Sequence, residues 1–176
     1  MIVAFCSGLR AGELFALQRR HVDLETRTVR VQQSLNRMGS GGRFSATKTR
    51  AGRRVVALPN VAVEALAEHM ARFTAPGKDA LVFSTRTGRP LTGGHRSMMF
   101  ARARKTIGRE DLTWHDQRHS AMSLVASTGA TLPELMQPAG HASAKAALHY
   151  QHAADGAERR IADRLDEALG EPGLLT

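Results

Sequence analysis

The sequence predicts an α+β domain, mostly helical, with a small antiparallel sheet near its front. Two observations carry this. Thr28 to Gln32 (TVRVQ) alternates and is β-branched, and Phe44–Thr47 and Arg54–Leu58 are two more short strand-like runs. From Asn60 onward, apolar residues instead recur at helical spacing, beginning with Val63, Leu66, Ala67, Met70 and Phe73.

Taken in order, Ile2 to Phe5 read as the last turn of a buried helix, with Gly8 as its stop. A domain rarely begins on a final helical turn, so upstream sequence is expected. Ala11 to Gln18 form a short helix with Leu14, Phe15 and Leu17 inward, and Val22 to Leu24 lead to a turn at Glu25–Arg27. A Gly/Ser loop spans Met38–Gly42, and a turn around Thr49–Gly52 joins the two later strands. Asn60 caps the helix that Ala75-Pro-Gly-Lys78 breaks. Gly93–Ile107 is a basic helix, and His115–Ser127 is another with Ala121, Leu124 and Val125 inward. Trp114 reads as a core anchor. Leu132–Met136, Ser143–Gln151 and the amphipathic Glu158–Leu169 complete the helices.

Charge is unevenly spread. The 176 residues hold 25 Lys+Arg against 16 Asp+Glu, a formal net charge of +9. Thr26–Val63 carries eight basic residues and no acid, and Ala80–Arg109 carries seven more and no acid. Asp155–Glu171 holds six acids and three Arg. Such separation suits a polyanion on one face and another role for the acidic end. Cys6 is the sole cysteine, so no intrachain disulfide forms and a reducing compartment is expected. The opening apolar run is too short for a signal peptide, and no segment is long enough to span a membrane. The cytoplasm is the expected location.

Tyr150 is the only tyrosine, nine residues after His141 and 32 after Arg118. His115 and Arg118 are one helical turn apart and share a face, which sets an imidazole beside a fixed cation. Arg10 follows a helix break in Gly8-Leu-Arg-Ala-Gly-Glu13. Lys48 lies in Thr47-Lys-Thr-Arg50 and His141 in Ala139-Gly-His-Ala-Ser143. Glu13, three residues after Arg10, reads as an orienting group. His115 and His119 have the spacing of a helical zinc pair but no adjacent Glu and no nearby Cys, so no metal is expected. No GxxxxGK[ST] loop occurs, and no nucleotide cofactor is expected.

GLRAGEL, TKTRAGRRVVALP, HDQRHS and the GHAS…Y segment occur in this order in tyrosine recombinases, and the chain resembles that phage-integrase family from Gly8 to about His152. The resemblance implies the catalytic-domain fold of the family. It implies one catalytic domain over residues 1–176, lacking its first helix and an upstream DNA-binding domain. The implied activity is site-specific DNA recombination through a covalent 3′-phosphotyrosyl intermediate. Arg10, Lys48, His115, Arg118 and His141 would surround the scissile phosphate, and Tyr150 would attack it.

The chemistry suits each residue type. Two guanidiniums neutralise the non-bridging oxygens of a phosphorane. A phenol of pKa near ~10 needs a base, here His115. Lys48 would protonate the leaving 5′-oxygen, and His141 would hydrogen-bond the phosphate. Arg43, Arg50, Arg53, Arg54, Arg96, Arg102 and Arg104 are candidate contacts to the DNA backbone.

Two departures from the family pattern are Ala139 and Pro138 before Gly140, which are expected to loosen the segment that places His141. A third is Gln117, where the family often has Leu, and this position is expected to face solvent. The partners implied are double-stranded DNA, a self-assembled tetramer on paired sites and accessory DNA-bending proteins, with association to a bacterial nucleoid. The rival functions are DNA relaxation like a type IB topoisomerase and a non-catalytic DNA-binding remnant of an integrase.

Overall fold

The computed structural model describes residues 1–36, 43–46 and 53–128. Lys48, Arg50, His141 and Tyr150 lie outside the described residues. So do the Met38–Gly42 loop, the turn at Thr49–Gly52 and the three helices expected after Thr128.

Helix α1 (Ile2–Ser7) ends at Gly8, whose φ of 57° is the left-handed C-cap expected of a glycine stop. Helix α2 (Ala11–Leu14) is shorter than expected, and the chain turns at Phe15. Leu14, Phe15, Ala16 and Leu17 are all buried, so this stretch enters the core as a turn rather than as one helical face. A single 3-10 turn at Arg19–His21 leads into β1 (Val22–Asp23).

The strands are β2 (Thr28–Val31), β3 (Gln33–Asn36), β4 (Arg43–Ala46) and β5 (Arg54–Ala57). They make a three-stranded antiparallel sheet, β1-β2-β5, and a separate β3–β4 pair. The runs at Phe44 and Arg54 therefore each pair with an earlier strand. Alternation explains the choice. Val29 and Val56 are register partners and both are buried, so pairing β2 with β5 joins two apolar faces.

Helix α3 (Asn60–Phe73) begins one residue before expectation. Pro59 occupies the N-cap, and the Asn60 side chain accepts a hydrogen bond from Arg27 Nη1 at 2.8 Å instead of capping. Ala62, Leu66 and Met70 form its buried stripe, and Phe73 is exposed at the end. Helix α4 (Gly93–Thr106) is capped by Thr92, and α5 (Trp114–Ser127) by Thr113. On α5, Gln117, Arg118, Ala121, Met122 and Ala126 are buried, whereas Leu124 faces outward. Gln117 thus points into the core, not into solvent. It lies one turn before Ala121 and three residues after the half-buried Trp114, and position on the helix overrides polarity.

Helix α1 packs against both α3 and α5, and α2 lies on β3. The α2–β3 approach depends on Gly12, where an added Cβ would stand 3.1 Å from the Leu35 carbonyl oxygen. Among the described residues, no helix is long and apolar enough to cross a membrane.

Candidate active site

The elbow between α1 and α2 gathers the cationic groups. Gly8 reverses the chain, Leu9 drops into the core, and Arg10 emerges as the residue preceding α2. Arg118 arrives from α5. Its side chain is buried, and its Nη1 donates to the carbonyl oxygen of Gly8, two residues before Arg10. Two arginines far apart in sequence are thereby tied to one elbow.

Arg10 is anchored through Glu13. Its backbone N–H donates to Glu13 Oε2 at 2.9 Å, and its Nη1 donates to Oε1 at 3.1 Å. The Glu13 side chain is 5% exposed and that of Arg10 is 51% exposed. A second guanidinium, Arg54 from β5, meets the same carboxylate through two bonds of 3.1 and 2.8 Å. Burial pushes the Glu13 carboxyl up. The hydrogen bonds and charge of Arg54, with those of Arg10, outweigh it and hold Glu13 below its ordinary value. A carboxylate so saturated is unsuited to proton transfer and suited to orienting a cation.

A capping box sets where α5 begins. Thr113 Oγ1 accepts from the backbone N–H groups of His115 and Asp116, and Asp116 Oδ2 accepts from Thr113 N–H and Oγ1–H at 2.7 Å. The bonds from Thr113, aided by the nearby His115 and His119, hold the Asp116 carboxyl below its ordinary value. Trp114 stacks on Phe100 with ring centroids 4.5 Å apart and meets Phe15 edge-on at 5.5 Å. These contacts fix the helix start, so His115 is exposed one turn before the buried Arg118. The His115 ring lies edge-on to His119 at 4.2 Å. Among the described residues, no three His, Cys, Asp or Glu side chains converge as a metal site.

The other expected DNA contacts divide. Arg43, Arg53 and Arg102 are exposed. Arg54 is buried on Glu13, and Arg96 is buried with its guanidinium 5.6 Å from the Phe15 ring centre. Arg104 donates to the Leu112 carbonyl at 2.7 Å and lies over Phe100. These three serve the fold where exposed cations were expected. The sequence held the signal: Arg54 alternates with buried Val56, and Arg96, Phe100 and Arg104 recur every four residues on one face of α4. The structure thus brings Arg10, Glu13 and Arg118 to one elbow and sets His115 a turn from Arg118.

Comparison with known proteins fits this geometry. Residues 1–157 match the model of the phage integrase family. The chain is 41% identical over 169 residues to the prophage phiRv2 integrase of Mycobacterium tuberculosis, covering 95% of this chain and 45% of that protein. It is 35% identical over 173 residues to the integrase of Mycobacterium phage D29, covering 96% and 46%. The chain spans about half the length of these relatives. Among solved structures, the Tn1549 transposon integrase in complex with transposon right end DNA superposes with a TM-score of 0.77 at 24% identity, over 93% of this chain and 57% of that one. XerA recombinase gives a TM-score of 0.69 at 25% identity, over 92% and 54%.

Proposed function

The chain belongs to the phage integrase family, and from that premise we propose that it cleaves and rejoins DNA strands at specific sites, with Tyr150 as nucleophile. The observation that carries this reading is the seating of Arg118 on the carbonyl of Gly8, two residues before Arg10 in the chain. Two permanent cations at one elbow fit the doubly anionic oxygens of a phosphorane.

In the proposed reaction, His115 takes the phenol proton of Tyr150 as its oxygen attacks the scissile phosphorus. The bond to the 5′-oxygen breaks, and that oxygen leaves with a proton from Lys48. Arg10 and Arg118 neutralise the phosphorane, and His141 donates a hydrogen bond to it. The 3′-phosphotyrosyl product keeps the phosphodiester energy, so reversal by another 5′-hydroxyl reseals the strand without a nucleotide cofactor. Arg43, Arg50, Arg53 and Arg102 are the cations proposed to meet the DNA backbone. Double-stranded DNA is the proposed partner; the similar Tn1549 integrase is in complex with transposon right end DNA. Exchange would need a tetramer on paired sites, with accessory DNA-bending proteins, on the bacterial nucleoid in the cytoplasm.

A nicked duplex that releases its short 5′ fragment traps the covalent adduct. The unsubstituted chain should give a slowly migrating band in denaturing gels. Tyr150→Phe should abolish it with DNA affinity almost unchanged. An adduct that persists in Tyr150→Phe sinks the assignment. Two-site exchange measured against supercoil relaxation separates recombination from topoisomerase-like activity.

A further inference from the structure

Arg54 has the sequence setting of a DNA contact and the surroundings of something else. It stands opposite Val31 in the β2–β5 register, two residues before buried Val56, and its side chain is 5% exposed. Its fork meets Glu13 oxygen for nitrogen, Nη1 to Oε1 and Nη2 to Oε2. The same two oxygens accept Arg10 Nη1 and the Arg10 backbone N–H. One buried carboxylate therefore lies between two guanidiniums of unequal exposure.

Charge decides what this arrangement does. A buried carboxylate needs a counter-ion. With Arg54 in place, that need is met from the interior side. Arg10 is then held by Glu13 through its backbone and one nitrogen, while about half of its side chain reaches solvent. With Arg54 removed, Arg10 would become the counter-ion. Its guanidinium would be drawn onto Glu13, and its charge would be spent inside the protein. Net stability alone is a poor account of the triad, because an apolar replacement of a buried ion pair is often neutral or stabilising.

We propose that Arg54 is a positioning residue for strand cleavage, which neutralises Glu13 so that Arg10 is presented with its charge intact to the scissile phosphate. The role rests on the reading of Arg10 as a phosphate-binding group. The β5 strand thus serves the site electrostatically, from behind α2.

Single-turnover adduct formation on the nicked duplex tests it, using Arg54→Gln, Arg10→Lys and the double variant. Misplacing a reacting-site group by about 1 Å costs on the order of a hundredfold, and Arg54→Gln should slow cleavage by about that much with DNA affinity nearly unchanged. In the Arg10→Lys background the same change should cost far less, because both act through one cation. Adding Glu13→Gln to Arg54→Gln should restore part of the rate by removing the unmatched charge.

An equal loss in both backgrounds overturns the proposal, as does no loss in either. A fall in affinity that accounts for the fall in rate also overturns it, and returns Arg54 to DNA contact. Should Arg54→Gln not fold, Arg54→Lys keeps the charge that neutralises Glu13 and should cleave at close to the normal rate, whereas a hundredfold loss in Arg54→Lys overturns the electrostatic role. Normal cleavage by Arg10→Lys would instead refute the underlying reading of the site.

Discussion

Arg10 and Arg118 are held at the same elbow by different physics. Arg10 stands half-exposed before α2 and is fixed by a carboxylate that a third arginine already neutralises. Arg118 is buried in α5 and is fixed by a backbone carbonyl. The first position is an electrostatic tether and the second a packing seat. A tethered cation can follow a ligand. A seated one cannot, and it brings α5 and α1 into register with each other. The pair would offer a phosphate one adaptable and one rigid contact.

Lysine substitution at each position should separate the two modes. On the proposed reading each would lose a forked contact to the phosphate, so each should slow cleavage, on the order of 10²–10³ for loss of one transition-state charge contact. Stability should split them. Arg118→Lys shortens the buried side chain that donates to the Gly8 carbonyl, and leaving that carbonyl unmet should cost about 1–3 kcal/mol. Arg10→Lys alters a half-exposed pair and should stay within about 1 kcal/mol. Thermal unfolding of the two variants checks this. Equal losses of stability would erase the distinction between tether and seat.

The seat can also be attacked from its acceptor side. Gly8 has φ of 57°, a conformation that costs a residue with a side chain roughly 1–2 kcal/mol. A Cβ there would also collide with the Met122 Cε, a flexible tip that can yield, so backbone strain should dominate. Gly8→Ala should lower stability by about that amount. It should slow cleavage more than it weakens DNA binding, since the displaced carbonyl is the one that holds Arg118. Denaturant unfolding and adduct trapping read the two effects, and a stability loss with a normal cleavage rate would detach the seat from function.

How far the sequence reached depends on whether position or chemistry was read. The glycine stop at Gly8, the β2 alternation and the helices α3, α4 and α5 follow from periodicity and breakers, and the structure bears them out. Family motifs pointed to Arg10, Glu13, His115 and Arg118, which the structure places around one elbow and the start of α5. The errors came where residue type was trusted over position. Leu124 was expected inward because it is apolar, and Gln117 outward because it is polar. The wheel through Ala121 and Met122 reverses both. Arg54 reads as a DNA-backbone contact for its charge, although its two-residue step from Val56 sets it on the core face, where its side chain is 5% exposed. Strand partners were beyond local reading, because the match of Val29 to Val56 is a long-range fact.

Gln117 gives the smallest and cleanest test of that lesson. It neighbours Arg118 on α5 and is 9% exposed, yet among the described residues its Oε1 has no hydrogen-bond partner. Its Nε2 donates to the Met1 carbonyl at 3.2 Å. The surrounding cavity is lined by Ile2, Phe5, Phe100 and Leu112, so a side-chain amide there is poorly matched. Leu would remove the unpartnered oxygen and add apolar contact. It would also release the Met1 carbonyl, but Met1 is exposed and water can replace the donor. The balance favours Gln117→Leu by about 0.5–1.5 kcal/mol, the net worth of one ordinary hydrogen bond with its sign reversed. Cleavage should be unchanged, because Arg118 is seated on Gly8 and not on its neighbour. A rise in melting temperature with a normal adduct rate is the expected result. A fall in both would mean that the amide helps to hold the packing seat, and that the start of α1 contributes to it as well as the Gly8 carbonyl.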